Sequence, residues 1–133
     1  MLKARLAKEL IIRTTNRLGA LADIAKLLAD KGINLHSVAA WVDRTDAVIH
    51  LLADDNLRAA DALRNARFPV KEAEVVITEP MHKPGMLRHV TERLASHGVE
   101  LHYAYATAPA GQDQSLLVLS CTSNERAMVL LNA

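Results

Sequence analysis

The sequence predicts an α+β fold in which one β-α-β-β-α-β module is written twice, and three observations predict it. The 25 residues from Asn16 to Ala40 recur without a gap 66 positions later as His82 to Ala106, with 8 identities. Gly19, Leu21, Leu28, Ala29, Gly32, Leu35, His36 and Ala40 meet Gly85, Leu87, Leu94, Ala95, Gly98, Leu101, His102 and Ala106, while Ile24 matches Val90 and Ile33 matches Val99. The apolar pattern switches repeatedly between short β-branched runs and helix-spaced stretches. Finally, 133 residues filled by two such modules leave no room for a separate catalytic domain.

The elements follow in order. Glu9 to Thr14 is a short apolar strand that stops at Thr15-Asn16, which is N-cap chemistry. Leu18, Leu21, Ile24, Ala25 and Leu28 then keep helical spacing, and Gly32 supplies the C-terminal cap. Ile33 to Val42 and Ala47 to Ala53 read as two strands joined by the polar turn Asp43-Arg44-Thr45-Asp46. Asn56 is expected to cap a second helix through Leu63, after which Phe68-Pro69-Val70 turns the chain into a strand ending near Glu79. This order specifies a four-stranded antiparallel sheet with two helices on one face, the ferredoxin-like arrangement. The plan repeats from Pro84-Gly85 to the second short helix, where Asn56, Arg58, Ala59 and Leu63 match Asn124, Arg126, Ala127 and Leu131 at an offset of 68, after a hairpin lengthened to Ala108 to Gln114. The modules are therefore expected at 1–72 and 73–133, with a continuous strand around 70–79 serving both. The sequence stops at Ala133, so the second module is expected to lack its last strand.

Composition narrows the function. Half of the residues are hydrophobic, yet the aromatics are only Trp41, Phe68, Tyr103 and Tyr105, so the core is aliphatic. A formal net charge of +1, with no basic run, offers no footprint for nucleic acid or an anionic membrane. The segment Met1 to Leu10 is mixed and charged, unlike a signal peptide, and no apolar stretch is long enough for a membrane span. Cys121 stands alone, so a soluble protein of the reducing cytoplasm is expected.

Asn16-Arg17-Leu18-Gly19-Ala20-Leu21 with Gly32-Ile33-Asn34-Leu35, and His82-Lys83-Pro84-Gly85-Met86-Leu87 with Gly98-Val99-Glu100-Leu101, resemble the ACT domain, a regulatory amino-acid-binding module. Two copies in one register resemble the tandem-ACT group, small proteins made of two such modules. The resemblance implies an amino acid or similar small effector bound at an interface between modules. It places the effector against the loop from the first strand into the first helix and the start of a second strand. By position, the implied ligand-binding residues are Thr15, Asn16, Arg17, Leu18, Gly19, Ala20 and Asn34, and Met81, His82, Lys83, Pro84, Gly85, Met86 and Glu100. A helix start suits a carboxylate, because its first N–H groups and the positive end of its dipole face outward. Gly19 and Gly85 would allow close approach to the backbone, or tight packing of the helix start. Where the family often has Asn, the second module has Glu100, which would repel an effector carboxylate and pair with an ammonium group.

His36 and His102 invite a metal reading, but two ligands are too few for a closed site, and neither a metal nor a cofactor is expected. Arg58 and Arg126 read as solvated surface charges. An RNA-recognition module needs aromatic residues on its central strands, which Leu10-Ile11-Ile12 and Val48-Ile49-His50 lack. No loop concentrates the groups of a small ferredoxin-like enzyme, and Ser37, Ser115 and Ser120 have no nucleophile motif around them. The expectation is a non-catalytic, homodimeric sensor that passes occupancy to a regulated partner protein. Trp41 is expected to be buried at an interface with another module, and the alternative function is an assembly module without ligand.

Overall fold

The computed structural model describes residues 2–133. In order they form β1 (Ala4–Thr15), α1 (Ala20–Asp30), β2 (Leu35–Asp43), β3 (Asp46–Ala53), α2 (Asn56–Asn65), β4 (Val70–Thr78), α3 (Met86–Ser96), β5 (Leu101–Thr107), β6 (Leu116–Cys121) and α4 (Asn124–Asn132). The α+β class and the repeated element order are as the sequence predicts. The chain divides into two compact units: Lys8–Ala73, here the first module, and Glu74–Ala133 together with the N-terminal residues up to Ala7, here the second.

In the first module the strand order is β2-β3-β1-β4. β1 and β3 pair antiparallel with Ile12 opposite Ile49, and β3 and β2 with Ile49 opposite Ala40. Side chains alternate across a strand, so Leu10, Ile12, Ile49 and Leu51 share one face. They are sealed there by Ile24 and Leu28 of α1 and Ala59, Ala60 and Leu63 of α2. The helix caps differ from those expected. The N-cap of α1 is Gly19, at φ 82°, and not Asn16, whose backbone N–H donates to the Thr45 carbonyl at 2.8 Å and so extends the β1–β3 ladder by one residue. At the other end Gly32 takes φ 71° and donates to Ala29, while Ile33 donates to Leu28, a Schellman closure repeated by Gly98 and Val99 on Ala95 and Leu94.

Asn56 is likewise the first residue of α2 and not its cap; the Asp55 side chain accepts from the Arg58 N–H. The amide of Asn56 instead donates to the Lys8 carbonyl at 2.9 Å, and in the second module Asn124 donates to the Glu74 carbonyl at 2.9 Å. The repeated asparagine thus ties each short helix to the first strand of its own module. Arg58, expected as a solvated charge, donates to the Lys31 carbonyl at the end of α1.

In the second module the order is β1-β4-β6-β5, with Ile77 opposite Val118 and Val118 opposite Tyr105. No strand follows α4, as the sequence predicts, yet the sheet does not lack a fourth strand. The start of β1 occupies that place beside β4. Leu2 and Ala4 enter a core with Val76, Val90, Leu94, Leu119 and Leu131. Asn132 clamps this segment from α4: its Oδ1 accepts from the Ala4 N–H at 2.8 Å and its Nδ2 donates to the Ala4 carbonyl at 2.9 Å. Thr78 Oγ1 adds a 2.8 Å bond to the Lys3 carbonyl. The strand beside β4 therefore comes from the other end of the chain, where an offset repeat has no counterpart to align.

Candidate functional site

Each module carries a cleft at the start of its first helix. In the first, about 650 Å³ is lined by Asn16 to Ala22 and by Ala40, Trp41, Val42, Ala47 and Ile49. The expected residues Asn16, Arg17, Leu18, Gly19 and Ala20 meet here, whereas Thr15 ends β1 opposite Asp46 and Asn34 lies outside. Arg17 is the only ionisable side chain in this lining, and its Nη2 is held by Asp23 at 2.6 Å. The remainder is largely apolar, with Leu18 fully exposed and Trp41 about half so.

The second cleft is larger, about 860 Å³, and belongs to the loop between β4 and α3. Met81, Lys83, Pro84, Gly85 and Met86 line it, and His82 and Glu100 do not. Its other wall, to which no sequence signal pointed, is Leu2 to Arg5, the segment that leads into and opens β1. The long β5–β6 hairpin, also without an expected role, holds the loop in place. Within it, Asp113 accepts from the His82 N–H at 2.7 Å and the Ser115 N–H donates to Pro80 at 2.9 Å. Gln114, which bridges to Met81, joins the lining.

Both helices open on these clefts without a side-chain cap, whereas Asp55 and Ser123 cap α2 and α4. Gly19 and Gly85 fill the cap position at φ 82° and 91°, a conformation that favours glycine, and a Cβ at either would meet no atom within 4 Å. Conformation, and not tight packing, requires glycine here. The first N–H of each helix turns back on its own loop, Ala20 to Arg17 and Met86 to Lys83, and no side chain caps those that follow.

Asn34 and Glu100 occupy equivalent positions just before β2 and β5. Asn34 is pinned through its backbone, receiving the Asp54 N–H at 3.0 Å and donating to Asp54 Oδ1 at 3.2 Å; Glu100 exchanges the same pair of bonds with Thr122, at 2.9 and 3.2 Å. No hydrogen bond pins either side chain, and both residues are exposed.

Elsewhere in the first module, Glu9 and His50 are buried polar residues whose Oε1 and Nδ1 lie 2.6 Å apart, with the indole of Trp41 stacked on the imidazole at 4.9 Å between centroids. Neither Glu9 nor His50 lines a cleft. Among the described residues no three His, Cys, Asp or Glu side chains are placed to hold a metal ion, and no helix is long and apolar enough to cross a membrane.

Residues 8–67 match the family model of the ACT domain. This span contains the first cleft, Asn34 and the Schellman-closed α1. Among solved structures, the chain is similar to protein BT0572 from Bacteroides thetaiotaomicron, at 25% identity and a TM-score of 0.90, over 98% of this chain and 89% of that one. It also shares its fold with the ligand-free regulatory subunit of aspartate kinase from Thermus thermophilus, at 13% identity and a TM-score of 0.69, over 97% and 94% of the two chains. The regulatory subunit of aspartate kinase from Thermus flavus is alike at 14% identity and a TM-score of 0.61, covering 98% and 95%. No curated protein sequence matches significantly.

Proposed function

We propose that this chain is a tandem pair of ACT modules, divided near residues 72 and 73, acting as a non-catalytic regulatory protein of the cytoplasm. It binds an amino acid or a similar small effector and passes occupancy to a partner protein, as a homodimer. The observation that carries this reading is the 860 Å³ cleft around Lys83 to Met86, because it lies on the effector loop and falls within the roughly 300–1,000 Å³ typical of small-molecule sites. The uncapped start of α3 is oriented to receive a carboxylate there. Support for a regulatory role comes from the ACT match and from the fold shared with two regulatory subunits of aspartate kinase. The buried acid–base pair Glu9–His50 is outside both clefts, which favours a binding role over catalysis.

Asn34 takes part through its free side chain, and Thr15 and His82 through the loops they adjoin. A thermal-shift screen of the purified protein against the common amino acids at millimolar concentration tests the proposal. A ligand at 100 times its dissociation constant adds about 2.7 kcal/mol and raises the midpoint by several degrees. Asn34→Ala should weaken that response, and unchanged affinity would remove Asn34 from the site. A second reading, assembly without ligand, is favoured by the exposed Val38, Trp41 and Val42 on β2. A flat screen with a stable dimer would select it.

A further inference from the structure

The two clefts differ in charge, and the difference arises from the strand that the second module takes from the start of the chain. Leu2 and Ala4 are buried in the core and Lys3 and Arg5 are exposed, and all four residues line the cleft where β1 begins. Lys83 from the effector loop joins them. Among the described residues, none of these three cations forms a salt bridge, whereas Arg13, Arg17, Lys26 and Arg88 are each paired with a carboxylate. A single carboxylate, Glu79, lines the same cleft and is also outside any salt bridge, while His89 and Gln114 contribute polar edges.

Three unpaired cations and one carboxylate leave the cleft net positive, which suits a ligand carrying more carboxylate than ammonium. We infer that the second-module cleft selects an acidic amino acid, with Lys3, Arg5 and Lys83 attracting its two carboxylates and Glu79 its ammonium group. This deepens the effector reading above and rests on it. Charge-assisted bonds are the stronger class of hydrogen bond, so they set specificity at such a site. The first cleft, apolar with its one arginine already paired, has no such preference. Glu100, whose carboxylate would disfavour an acidic effector, is outside the second cleft's lining.

Isothermal titration with L-glutamate and L-aspartate, against L-glutamine and L-asparagine, tests the inference at low and raised salt. The acids are expected to bind at least about tenfold more tightly than their amides, a margin that narrows with salt, as expected if one charge-assisted bond contributes about 1.5 kcal/mol or more. The double variant Arg5→Gln/Lys83→Gln, at two exposed positions that leave the core intact, should remove that margin while circular dichroism and melting temperature stay near wild type. Amides binding as tightly as acids, or acids binding the double variant undiminished, would overturn the charge inference and leave the effector reading standing. No binding by any of the four, nor by any other amino acid in the screen, would overturn both.

Discussion

At the scale of the residue, the glycines opening α1 and α3 act through conformation. With φ at 82° and 91° and no atom within 4 Å of the place a Cβ would take, Gly19→Ala and Gly85→Ala each meet backbone cost without a clash. Each substitution should lower stability by about 1–2 kcal/mol in urea titration, and an unchanged midpoint would contradict the left-handed cap. Their place was legible in the sequence because both glycines recur in register. The cap of α1 was not: Asn16 has capping chemistry, but its bond to Thr45 extends the β1–β3 ladder and keeps it with the strand, three residues short of the cap, a long-range pairing that no local propensity reveals. Cys121 gives a second test. Burial pushes its thiol above the ordinary value, so little thiolate is present near neutral pH and access is poor. Ellman's reagent should react with the native protein on the order of a hundredfold more slowly than with the unfolded chain, and fast reaction would place Cys121 outside the core. Because the folded-state pKa is the higher one, the neutral thiol favours the fold below the unfolded value. That contribution is lost as pH rises through the folded value, in the alkaline range.

At the scale of the element, the first strand decides how the second module is completed. The amide of Asn132 satisfies both backbone groups of Ala4, which is buried, and Leu2 adds the burial of a full aliphatic side chain. Asn132→Ala leaves that donor and acceptor without their partner and should cost about 1–3 kcal/mol. Asn132→Asp keeps the acceptor but turns a carboxylate oxygen toward the Ala4 carbonyl, so it should be no better tolerated near neutral pH in the same urea titration. Wild-type stability in both variants would mean that the clamp does not operate through these two bonds. Strands and helices inside the repeat were legible because each copy confirms the other. The start of β1 was not, although Leu2-Lys3-Ala4-Arg5-Leu6 carries the period-two alternation of a half-buried strand. Its charged residues obscure that alternation, and the repeat offset offers no second copy with which to compare it. The cationic wall of the second cleft is hidden for the same reason, since Lys3 and Arg5 reach it only through that pairing.

At the scale of the whole molecule, β1 and β4 each give residues to both compact units, the division falling after Ala7 in one and after Ala73 in the other. Melting either module therefore releases part of two strands whose remaining parts belong to the other, and the unpaired backbone groups left behind are costly wherever they were buried. Such sharing favours a single cooperative transition over the stepwise unfolding usual for domains joined by a linker. The chain contains its own probes. Trp41, the sole tryptophan, stacks on His50 in the first module, and Cys121 is buried in the second. Tryptophan fluorescence and thiol accessibility should therefore change at the same urea concentration. Asn132→Ala, though placed in the second module, should shift both midpoints together, because the strand it clamps continues into the first. A tryptophan transition left in place while the thiol transition moves would show that the modules unfold independently, and that the shared strands do not couple them.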